Sequence, residues 1–306
     1  MAPKSITLLH PGEMGAAVGA CLTGRGLRVQ WVSYGRSAAT RARACASSLQ
    51  EIAGLEDAIA AADIVLSICP PHGAVDVAAT VAKTGFRGIY VDANAIAPTT
   101  TRKIGRLVEA AGASFVDGAI IGPPPTSQHR TRLYLAGHSR EEVAALFHST
   151  RLQAIALEDA VGAASALKMC YAAWSKGTTA LLANIRALAQ SEGVDARLLQ
   201  EWSLSNPGPL QQSDRIPAAA EKAWRWVAEM EEIAASFEAA QLPGGFHRAA
   251  ADVYCRLVDF RQRPVPPALA EVIAQLRKNA TIAAALEAIP PGGSEVLPGG
   301  QVPQNK

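Results

Sequence analysis

The N-terminal segment constrains the fold most, because a short apolar run leads directly into a turn that contains glycine. Residues 6–9 are Ile-Thr-Leu-Leu, and residues 10–15 are His-Pro-Gly-Glu-Met-Gly. Small residues follow from residue 16 to residue 20, which predicts the first turns of a helix. A strand, a glycine turn and a helix in this order are typical of the unit that binds a dinucleotide pyrophosphate at the helix N-terminus.

Two glycines of this turn have separate roles in such a unit. Gly12 lets the backbone approach a pyrophosphate, and Gly15 lets the helix pack closely on the strand. His10 stands where the usual motif has its first glycine, so it must adopt a glycine-like backbone or the turn is built differently. An ordinary tight turn is the alternative. The predicted cofactor contacts of the turn are Pro11, Gly12, Glu13, Met14 and Gly15.

The composition indicates a folded chain without an obvious macromolecular partner. Of the 306 residues, 49% are hydrophobic and 18% are charged, with a formal net charge of +2. This balance gives no reason to expect a nucleic acid or a membrane as partner. The five cysteines include no C-x-x-C pair, and no His/Cys/Asp/Glu cluster has metal-ligand spacing. Because the chain enters a strand at once and lacks a long apolar run, we expect a cytoplasmic protein.

The two halves of the chain differ in pattern. The first half alternates strand-like runs, at residues 27–32, 62–69, 88–92 and 113–117, with helix-like segments. This alternation predicts an α/β fold with a Rossmann-type, doubly wound parallel sheet. Alanine-rich helical segments follow, so we expect a nucleotide-binding domain over residues 1–157 and an all-helical domain over residues 158–288. Residues 289–306, rich in proline and glycine, are expected to be a flexible tail.

The region after the second strand predicts which dinucleotide is bound. NAD-binding units place an acidic residue about 20 positions beyond the glycines, but no acidic residue lies between Glu13 and Glu51. Arg36, Ser37 and Arg41 occupy this region instead, and a guanidinium beside a hydroxyl suits the 2′-phosphate of NADP. A solvated basic start of a helix is the alternative interpretation.

Several motifs resemble the β-hydroxyacid dehydrogenases, a superfamily that includes 3-hydroxyisobutyrate and 6-phosphogluconate dehydrogenases and is related to the imine reductases. They are the glycine turn, residues 35–37, Pro70-Pro71, residues 92–98, residues 117–119 and the pair Gly162 and Lys168. The stretches at residues 224–233 and 242–248 are similar to a bacterial branch whose C-terminal domain has no known function. The resemblance implies that Pro70 and Pro71 lie beside the cofactor.

The same resemblance implies the catalytic group. Lys168 matches the lysine that acts in the family as general acid and base on the carbonyl or hydroxyl group. The family usually has asparagine four residues later, where this chain has Ala172, so Tyr171 is a second candidate donor to the substrate oxygen. Asn94 is the candidate amide donor to the nicotinamide or the substrate. A solvated lysine and a buried tyrosine are the alternatives.

The substrate side departs further from the hydroxyacid enzymes. Ile121, Gly122 and Pro123 stand where those enzymes have Ser-Gly-Gly, and isoleucine cannot donate a hydrogen bond to a carboxylate. Ser175 on the helix of Lys168, Trp224 and His247 are further candidate substrate contacts. For Trp224 the alternative is a place in the core or in a dimer interface, and for His247 a structural or capping role.

These patterns together predict an NADP-dependent oxidoreductase that transfers hydride between NADPH and a carbonyl or hydroxyl group of a small molecule. Residues 117–121 are closer to the imine reductases, so NADPH-dependent imine reduction is one alternative. An NADP-binding protein without catalysis is the other. The alanine-rich helices present broad apolar faces, so we expect a homodimer through the helical domain.

Overall fold

The computed structural model describes residues 4–126, 128–261, 263 and 265–278. The chain divides into two compact units, of which the first extends to Lys168 and the second begins at Met169. This division lies inside one long helix, α7 (Ala163–Ser191), whereas the composition places the boundary after residue 157. The predicted flexible tail, residues 289–306, lies outside the described residues.

The first unit alternates strands and helices along the chain before α7 begins. In order, its elements are β1 (Ser5–Leu9), α1 (Glu13–Thr23), β2 (Arg28–Val32), α2 (Ala38–Ala46), β3 (Gln50–Ile52), α3 (Leu55–Ala60), β4 (Ile64–Ser67), a 3₁₀ turn (Pro71–Gly73), α4 (Ala74–Lys83), β5 (Ile89–Asp92), α5 (Pro98–Ala110), β6 (Ser114–Ile121), β7 (Thr131–Ala136), α6 (Arg140–Ala145) and β8 (Leu152–Ala156).

These strands form one sheet in the order β3-β2-β1-β4-β5-β6-β7-β8. Every neighbouring pair is parallel except β6 and β7, which are antiparallel. The predicted Rossmann-type sheet followed by a helical region is confirmed. The sequence-based prediction did not include β7 and β8. After β6 the chain turns back as a hairpin to β7, which interrupts the strand–helix alternation, and α6 then leads to β8.

Alternate side chains of the strands pack into two separate cores, one on each face of the sheet. Leu8 and Leu66 pack with Val18 and Leu22 of α1 on one face. Leu9 and Val65, which are adjacent in sequence to these strand residues, point to the other face and pack with α3, α4 and α5 there. Because both faces are covered, most side chains of the central strands are apolar, and the buried Thr7 and Gln30 in mid-strand are hydrogen-bonded to each other.

The second unit is helical in the part that the structure describes. After α7 it contains α8 (Asp195–Ser205), α9 (Gly208–Ser213), α10 (Ile216–Ala220), α11 (Ala223–Ala239), α12 (Gly245–Cys255), a 3₁₀ turn (Val258–Phe260) and α13 (Leu269–Leu276). The buried Arg186 of α7 forms two hydrogen bonds with Asp195, at 2.6 and 2.9 Å, and so fixes the start of α8. Among the described helices, none has the length and hydropathy that crossing a membrane requires.

Candidate functional site

The glycine turn lies between β1 and α1, at the carboxyl end of the central strand of the sheet. Gly12 directly precedes α1, and its carbonyl accepts the first helical hydrogen bond, from Ala16 N–H at 2.9 Å. A Cβ atom at Gly12 would meet nothing within 4 Å, whereas one at Gly15 would lie 2.6 Å from the carbonyl oxygen of His10. The turn is therefore open beside Gly12, where an anion has access to the helix N-terminus, and closed at Gly15.

His10 adopts a glycine-like backbone, the first of the two alternatives that the sequence left open. Its φ is +64°, in the left-handed region, and its carbonyl accepts a 2.7 Å hydrogen bond from Gly12 N–H. The side chain is only 9% exposed. Burial, together with the positive charge of Arg36, lowers the pKa of His10 to about 3, so the imidazole is neutral at physiological pH.

Beyond β2, the chain turns sharply and brings Arg36 to the same edge of the sheet. Gly35 has a φ of +68°, and Arg36 N–H donates to the carbonyl of Ser33 at 3.1 Å. The Ser37 hydroxyl caps α2 by accepting a hydrogen bond from Thr40 N–H at 3.3 Å. A basic side chain and the N-terminus of α2 thus meet at the end of β2, where the sequence places the 2′-phosphate.

Arg41, the other predicted phosphate contact, has partners of its own in the protein. Its guanidinium donates to Glu51 Oε1 at 2.6 Å and to the Ser33 carbonyl at 3.0 Å. These bonds join α2 to the ends of β2 and β3. The positive charge of Arg36 contributes to the pKa shifts of His10 and of Cys69, so Arg36 lies within electrostatic range of the glycine turn.

Asn94 ties together the ends of β4 and β5. Its Nδ2 donates to Ser67 Oγ at 3.2 Å and to Asp92 Oδ2 at 2.9 Å, and its Oδ1 accepts from Cys69 N–H at 2.6 Å. Both amide hydrogens of Asn94 are thus donated within the protein, and its role as amide donor to the nicotinamide or substrate stays a prediction. Its bonds also shape the loop that leads from Cys69 to Pro70 and Pro71, both partly exposed.

Two buried aspartates face each other at the ends of neighbouring strands. Asp92 of β5 and Asp117 of β6 are direct partners in the parallel register. Burial raises the pKa of Asp92 to about 7, and the nearby Asp117 raises it as well, although hydrogen bonds from Asn94 lower it. Asp92 is therefore a buried group that exchanges a proton near neutral pH.

Asp117 anchors the start of α7. Its Oδ2 accepts hydrogen bonds from the N–H groups of Gly162, Ala164 and Ser165, at 2.8, 3.1 and 3.3 Å. The Ser165 hydroxyl lies 2.6 Å from Asp117 Oδ1 and 2.7 Å from Thr101 Oγ1 on α5. Burial raises the pKa of Asp117, while these donors lower it. A carboxylate that accepts the first N–H groups of a helix also complements the helix dipole.

Lys168 follows this anchor by one helical turn. Its Nζ donates to the carbonyl oxygen of Ile120, in β6, at 2.8 Å, and the side chain is half-buried. The ammonium group is thus held beside the last residues of the strand whose Asp117 fixes the helix. This arrangement places a proton donor at the carboxyl edge of the sheet, where open α/β sheets bind their ligands.

The predicted substrate loop, Ile121 to Pro123, comes directly after Ile120 in the chain. Ile121 is buried and pairs with Arg132 of β7, so this residue belongs to the sheet. Gly122, with a φ of +125°, and Pro123 are exposed beyond it.

In the part of the chain that the structure describes, no three His, Cys, Asp or Glu side chains are grouped as metal ligands.

The remaining predicted contacts belong to the second unit. On α7, Tyr171 is 50% exposed and its carbonyl accepts from the Ser175 hydroxyl at 3.1 Å. Trp224 has the Arg261 guanidinium stacked 4.0 Å from its ring centroid. His247 is buried against the rings of Phe237 and Phe246. For Trp224 and His247 these contacts favour the structural alternatives that the sequence left open.

Asp117, Thr101 and Ser165 form the part of the site that the sequence-based prediction of site residues missed. The motif at residues 117–119 contained Asp117, but a single aspartate at the end of a strand gives no sign that it caps a helix about 45 residues later. The available signal was Gly162 followed by Ser165, since the first N–H groups of a helix lack a partner within it and small residues there let an outside acceptor approach.

The comparisons with known proteins agree with this architecture. A family model described as the NAD binding domain of 6-phosphogluconate dehydrogenase matches residues 5–157, half of the chain. The chain belongs to this family. A domain of unknown function, DUF1932, matches residues 189–257, within the helical unit. The resemblance to the hydroxyacid dehydrogenase branch with such a C-terminal domain is confirmed, and with it a family of oxidoreductases that use a nicotinamide cofactor.

Individual relatives extend the comparison. An uncharacterised 28.5 kDa protein from Methanothermus fervidus is 29% identical over 174 residues, which are 57% of this chain and 66% of that protein. The matched part of this chain therefore spans just under two thirds of that relative. A conserved protein of unknown function, described as structurally similar to 3-hydroxyacid dehydrogenases, is 26% identical with a TM-score of 0.64, covering 84% of this chain and 97% of its own.

Two enzymes share the fold at lower identity. The 3-hydroxyisobutyrate dehydrogenase of Mycobacterium tuberculosis is 18% identical with a TM-score of 0.66, covering 90% of this chain and 100% of its own. A reductive aminase from Aspergillus terreus, solved with NADPH and ethyl levulinate, is 18% identical with a TM-score of 0.53 and the same coverage. At this identity the likeness shows the fold alone.

The raised pKa of Asp92 gives a test of the site's electrostatics. A pKa raised from about 4 in the unfolded chain to about 7 in the folded one means that the unfolded state loses its proton first. The carboxyl group therefore stabilises the fold less and less as pH rises from about 4 to about 7. Asp92→Asn should become more stable relative to the wild type by about 3 kcal/mol between pH 5 and pH 8.

Urea unfolding of both proteins at several pH values measures this difference. Asp76→Asn, at an exposed position on α4, is the matched control and should show little change with pH. A constant difference between wild type and Asp92→Asn over this range would contradict the assignment.

Proposed function

We propose that the protein is an NADP-dependent oxidoreductase that transfers hydride between the nicotinamide and a carbonyl or hydroxyl group, with Lys168 as general acid and base. The observation that carries the proposal is the position of Lys168 Nζ, held at the carboxyl edge of the sheet by Ile120 and by the anchor at Asp117. A flexible solvated lysine would lack both restraints.

The residues of the turn fit a dinucleotide. The space beside Gly12 is open, and Gly12, which directly precedes α1, has no side chain with which to cap the helix. These two features make room for a pyrophosphate at the N-terminus of the helix. Arg36 and the N-terminus of α2 supply positive charge for a 2′-phosphate, and no carboxylate between Glu13 and Glu51 opposes it in the sequence.

In the proposed mechanism the protein contributes orientation and proton transfer. NADPH, when bound, supplies the hydride. In the reducing direction, Lys168 Nζ exchanges its hydrogen bond with the Ile120 carbonyl for one with the substrate oxygen and gives up a proton there. In the oxidising direction, neutral Lys168 accepts that proton. Between turnovers, the hydrogen bond to the Ile120 carbonyl holds the Lys168 amine at this edge.

The first experiment tests Lys168. NADPH oxidation is followed with aldehydes, 2-keto and 3-keto acids and cyclic imines, and the best substrate is used for the variants. Lys168→Ala should lower kcat by about 10² to 10⁴-fold, which is the usual contribution of a positioned acid, while NADPH binding changes little. Lys103→Ala, at an exposed position on α5, is the control.

A Lys168→Ala enzyme that keeps most of its kcat would refute the assignment. Turnover of cyclic imines alone, without any carbonyl substrate, would instead assign the protein to imine reduction, which the likeness of residues 117–121 left open.

The second experiment tests cofactor selection. Arg36→Glu should raise the KM for NADPH by at least about 100-fold, because it replaces a charge-assisted hydrogen bond with repulsion of the 2′-phosphate. The KM for NADH should change little. Arg106→Glu, which makes the same charge change at an exposed position on α5, controls for net charge. Equal effects of Arg36→Glu on both cofactors would contradict the proposal.

We also propose that the protein is a homodimer that associates through α7. Trp174, Leu181 and Leu188 recur every seven residues along this helix and are 71%, 44% and 64% exposed. Together with the half-exposed Tyr171 they form an apolar stripe on the surface of the second unit. A seven-residue apolar repeat is the pattern with which two helices pack against each other, and a second copy of the chain carries a matching stripe.

The third experiment measures association. Leu181→Glu with Leu188→Glu places charges in the stripe and should convert a dimer into a monomer in light scattering after gel filtration. Leu204→Glu, at a 77% exposed position on α8 outside the stripe, is the matched control. A wild-type monomer, or a dimer that survives the double substitution, would contradict association through α7.

A further inference from the structure

Asp92 and Asn94 form a closed hydrogen-bonded pair at the end of β5. Both oxygens of the Asp92 carboxyl group accept from Asn94, Oδ1 from its backbone N–H at 3.1 Å and Oδ2 from its side-chain Nδ2 at 2.9 Å. The two residues are only 1% and 3% exposed. Because an ionised carboxylate can only accept hydrogen bonds, it fixes the orientation of the Asn94 amide, with Nδ2 towards Asp92 and Oδ1 away from it.

The Oδ1 end of this amide holds the loop that follows β4. It accepts a 2.6 Å hydrogen bond from Cys69 N–H, and Nδ2 also donates to Ser67 Oγ, at the last residue of β4, at 3.2 Å. Pro70 and Pro71 come next in the chain, and proline has no backbone N–H. Cys69 N–H is therefore the last backbone donor before the two prolines, and Asn94 is its acceptor.

The same loop, residues 68–71, lies directly against the glycine turn. In the parallel register of β1 and β4, Leu9 is opposite Ser67, and Ile68 N–H donates to the Leu9 carbonyl at 3.4 Å. A Cβ atom at Gly15 would lie 3.8 Å from the Cβ atom of Ile68. The strand order also reverses between β1 and β4, and open α/β sheets bind their ligands at such a point.

The strand order indicates which half of a dinucleotide lies near this loop. Arg36 follows β2, on one side of β1, whereas residues 68–71 follow β4, on the other side. In NADP the pyrophosphate connects an adenosine half, which carries the 2′-phosphate, to a nicotinamide half. With the pyrophosphate at the turn after β1 and the 2′-phosphate on the β2 side, the nicotinamide half extends towards the loop after β4.

We propose that Asp92 and Asn94 are positioning residues that hold the loop of residues 68–71 at the place where the nicotinamide half of NADP binds. This inference rests on the proposed function, since it concerns the same cofactor. Asp92 acts through the Asn94 amide, and Asn94 acts through Cys69 N–H, so this role requires neither residue to touch the cofactor. The support of the cofactor site thus extends to β5, two strands away from the glycine turn.

Binding of whole and partial cofactors tests the pair. Calorimetry at pH 8, where Asp92 is mostly ionised, measures NADP⁺, NADPH and 2′,5′-ADP, which lacks the nicotinamide half. Asn94→Ala should weaken both dinucleotides by about tenfold, an effect of the size of one hydrogen bond, and leave 2′,5′-ADP within about twofold. Asp92→Asn keeps one acceptor oxygen, so it should weaken them less, and it should have no further effect in the Asn94→Ala background.

Gln30→Ala is the matched control. Gln30 also has a buried side-chain amide, but it donates to Thr7 Oγ1 at 2.8 Å and to the Ala58 carbonyl at 2.6 Å, away from the loop. Its removal should lower the unfolding temperature, as the removal of Asn94 does, without changing the ratio of NADP⁺ affinity to 2′,5′-ADP affinity.

The Cys69 thiol reports on the loop without any cofactor. It is 8% exposed, and burial raises its pKa to about 12, so the wild type should be modified slowly at this position. In Asn94→Ala, iodoacetamide should modify Cys69 at least about tenfold faster, because the loop has lost one hydrogen bond. Peptide mass spectrometry measures the rate, which should stay low in Gln30→Ala and unchanged at the exposed Cys45.

Four outcomes would overturn the inference. They are equal weakening of NADP⁺ and 2′,5′-ADP in Asn94→Ala, unchanged binding of NADP⁺ there, equally fast modification of Cys69 in Gln30→Ala, and a loss in Asp92→Asn that spares NADPH. The last would indicate attraction between the carboxylate and the charged ring of NADP⁺. Each of them leaves the proposed function intact if the wild type binds NADP⁺, whereas a wild type that binds no NADP⁺ rejects both.

Discussion

The hydrogen bonds from the start of α7 to Asp117 are the interaction on which the candidate site depends. One carboxylate accepts hydrogen bonds from three N–H groups at the start of the helix and from one hydroxyl, which fixes residues 162–165 beside β6. Lys168 lies one turn further on and returns to the carbonyl of Ile120 on the same strand. The placement of the ammonium therefore follows from a helix cap, and a helix cap is more rigid than a surface loop.

Burial at the carboxyl edge of the sheet shifts the pKa values of the two aspartates and of His10. Among the described residues, Asp117 has four donors. Asp92 beside it has two, the backbone N–H and the side-chain amide of Asn94, and burial raises the pKa of Asp92 to about 7. Burial has the opposite effect on His10, whose neutral form it favours. The edge thus combines one firmly hydrogen-bonded carboxylate, one carboxyl group that titrates near neutrality and one neutral imidazole, beside the cationic Lys168 and Arg36.

The part of the fold and site that depends on local signals was predictable from the sequence. Gly12 and Gly15 marked the turn, and the alternation of strands and helices gave the parallel sheet, because both patterns lie within short windows. Contacts between distant segments were not predictable: the cap of α7 by Asp117, the hairpin of β6 and β7, and the use of both Asn94 amide hydrogens by Ser67 and Asp92. An asparagine at a strand end has the same sequence signature whether it donates to a ligand or to the protein.

The difference between local signals and contacts between distant segments also explains why the cofactor side of the site is easier to infer from the sequence than the substrate side. A pyrophosphate is bound by the N–H groups of a helix, so glycines and helix starts report it directly. A substrate is selected by side chains from several elements, and here the family's Ser-Gly-Gly is replaced by Ile121, Gly122 and Pro123, of which Ile121 is buried in the sheet. The hydrogen bond of Lys168 to Ile120 and the anchor at Asp117 lie within the first unit. In the proposed mechanism, proton transfer and cofactor binding therefore share one rigid framework, and the choice of substrate is free to vary without disturbing it.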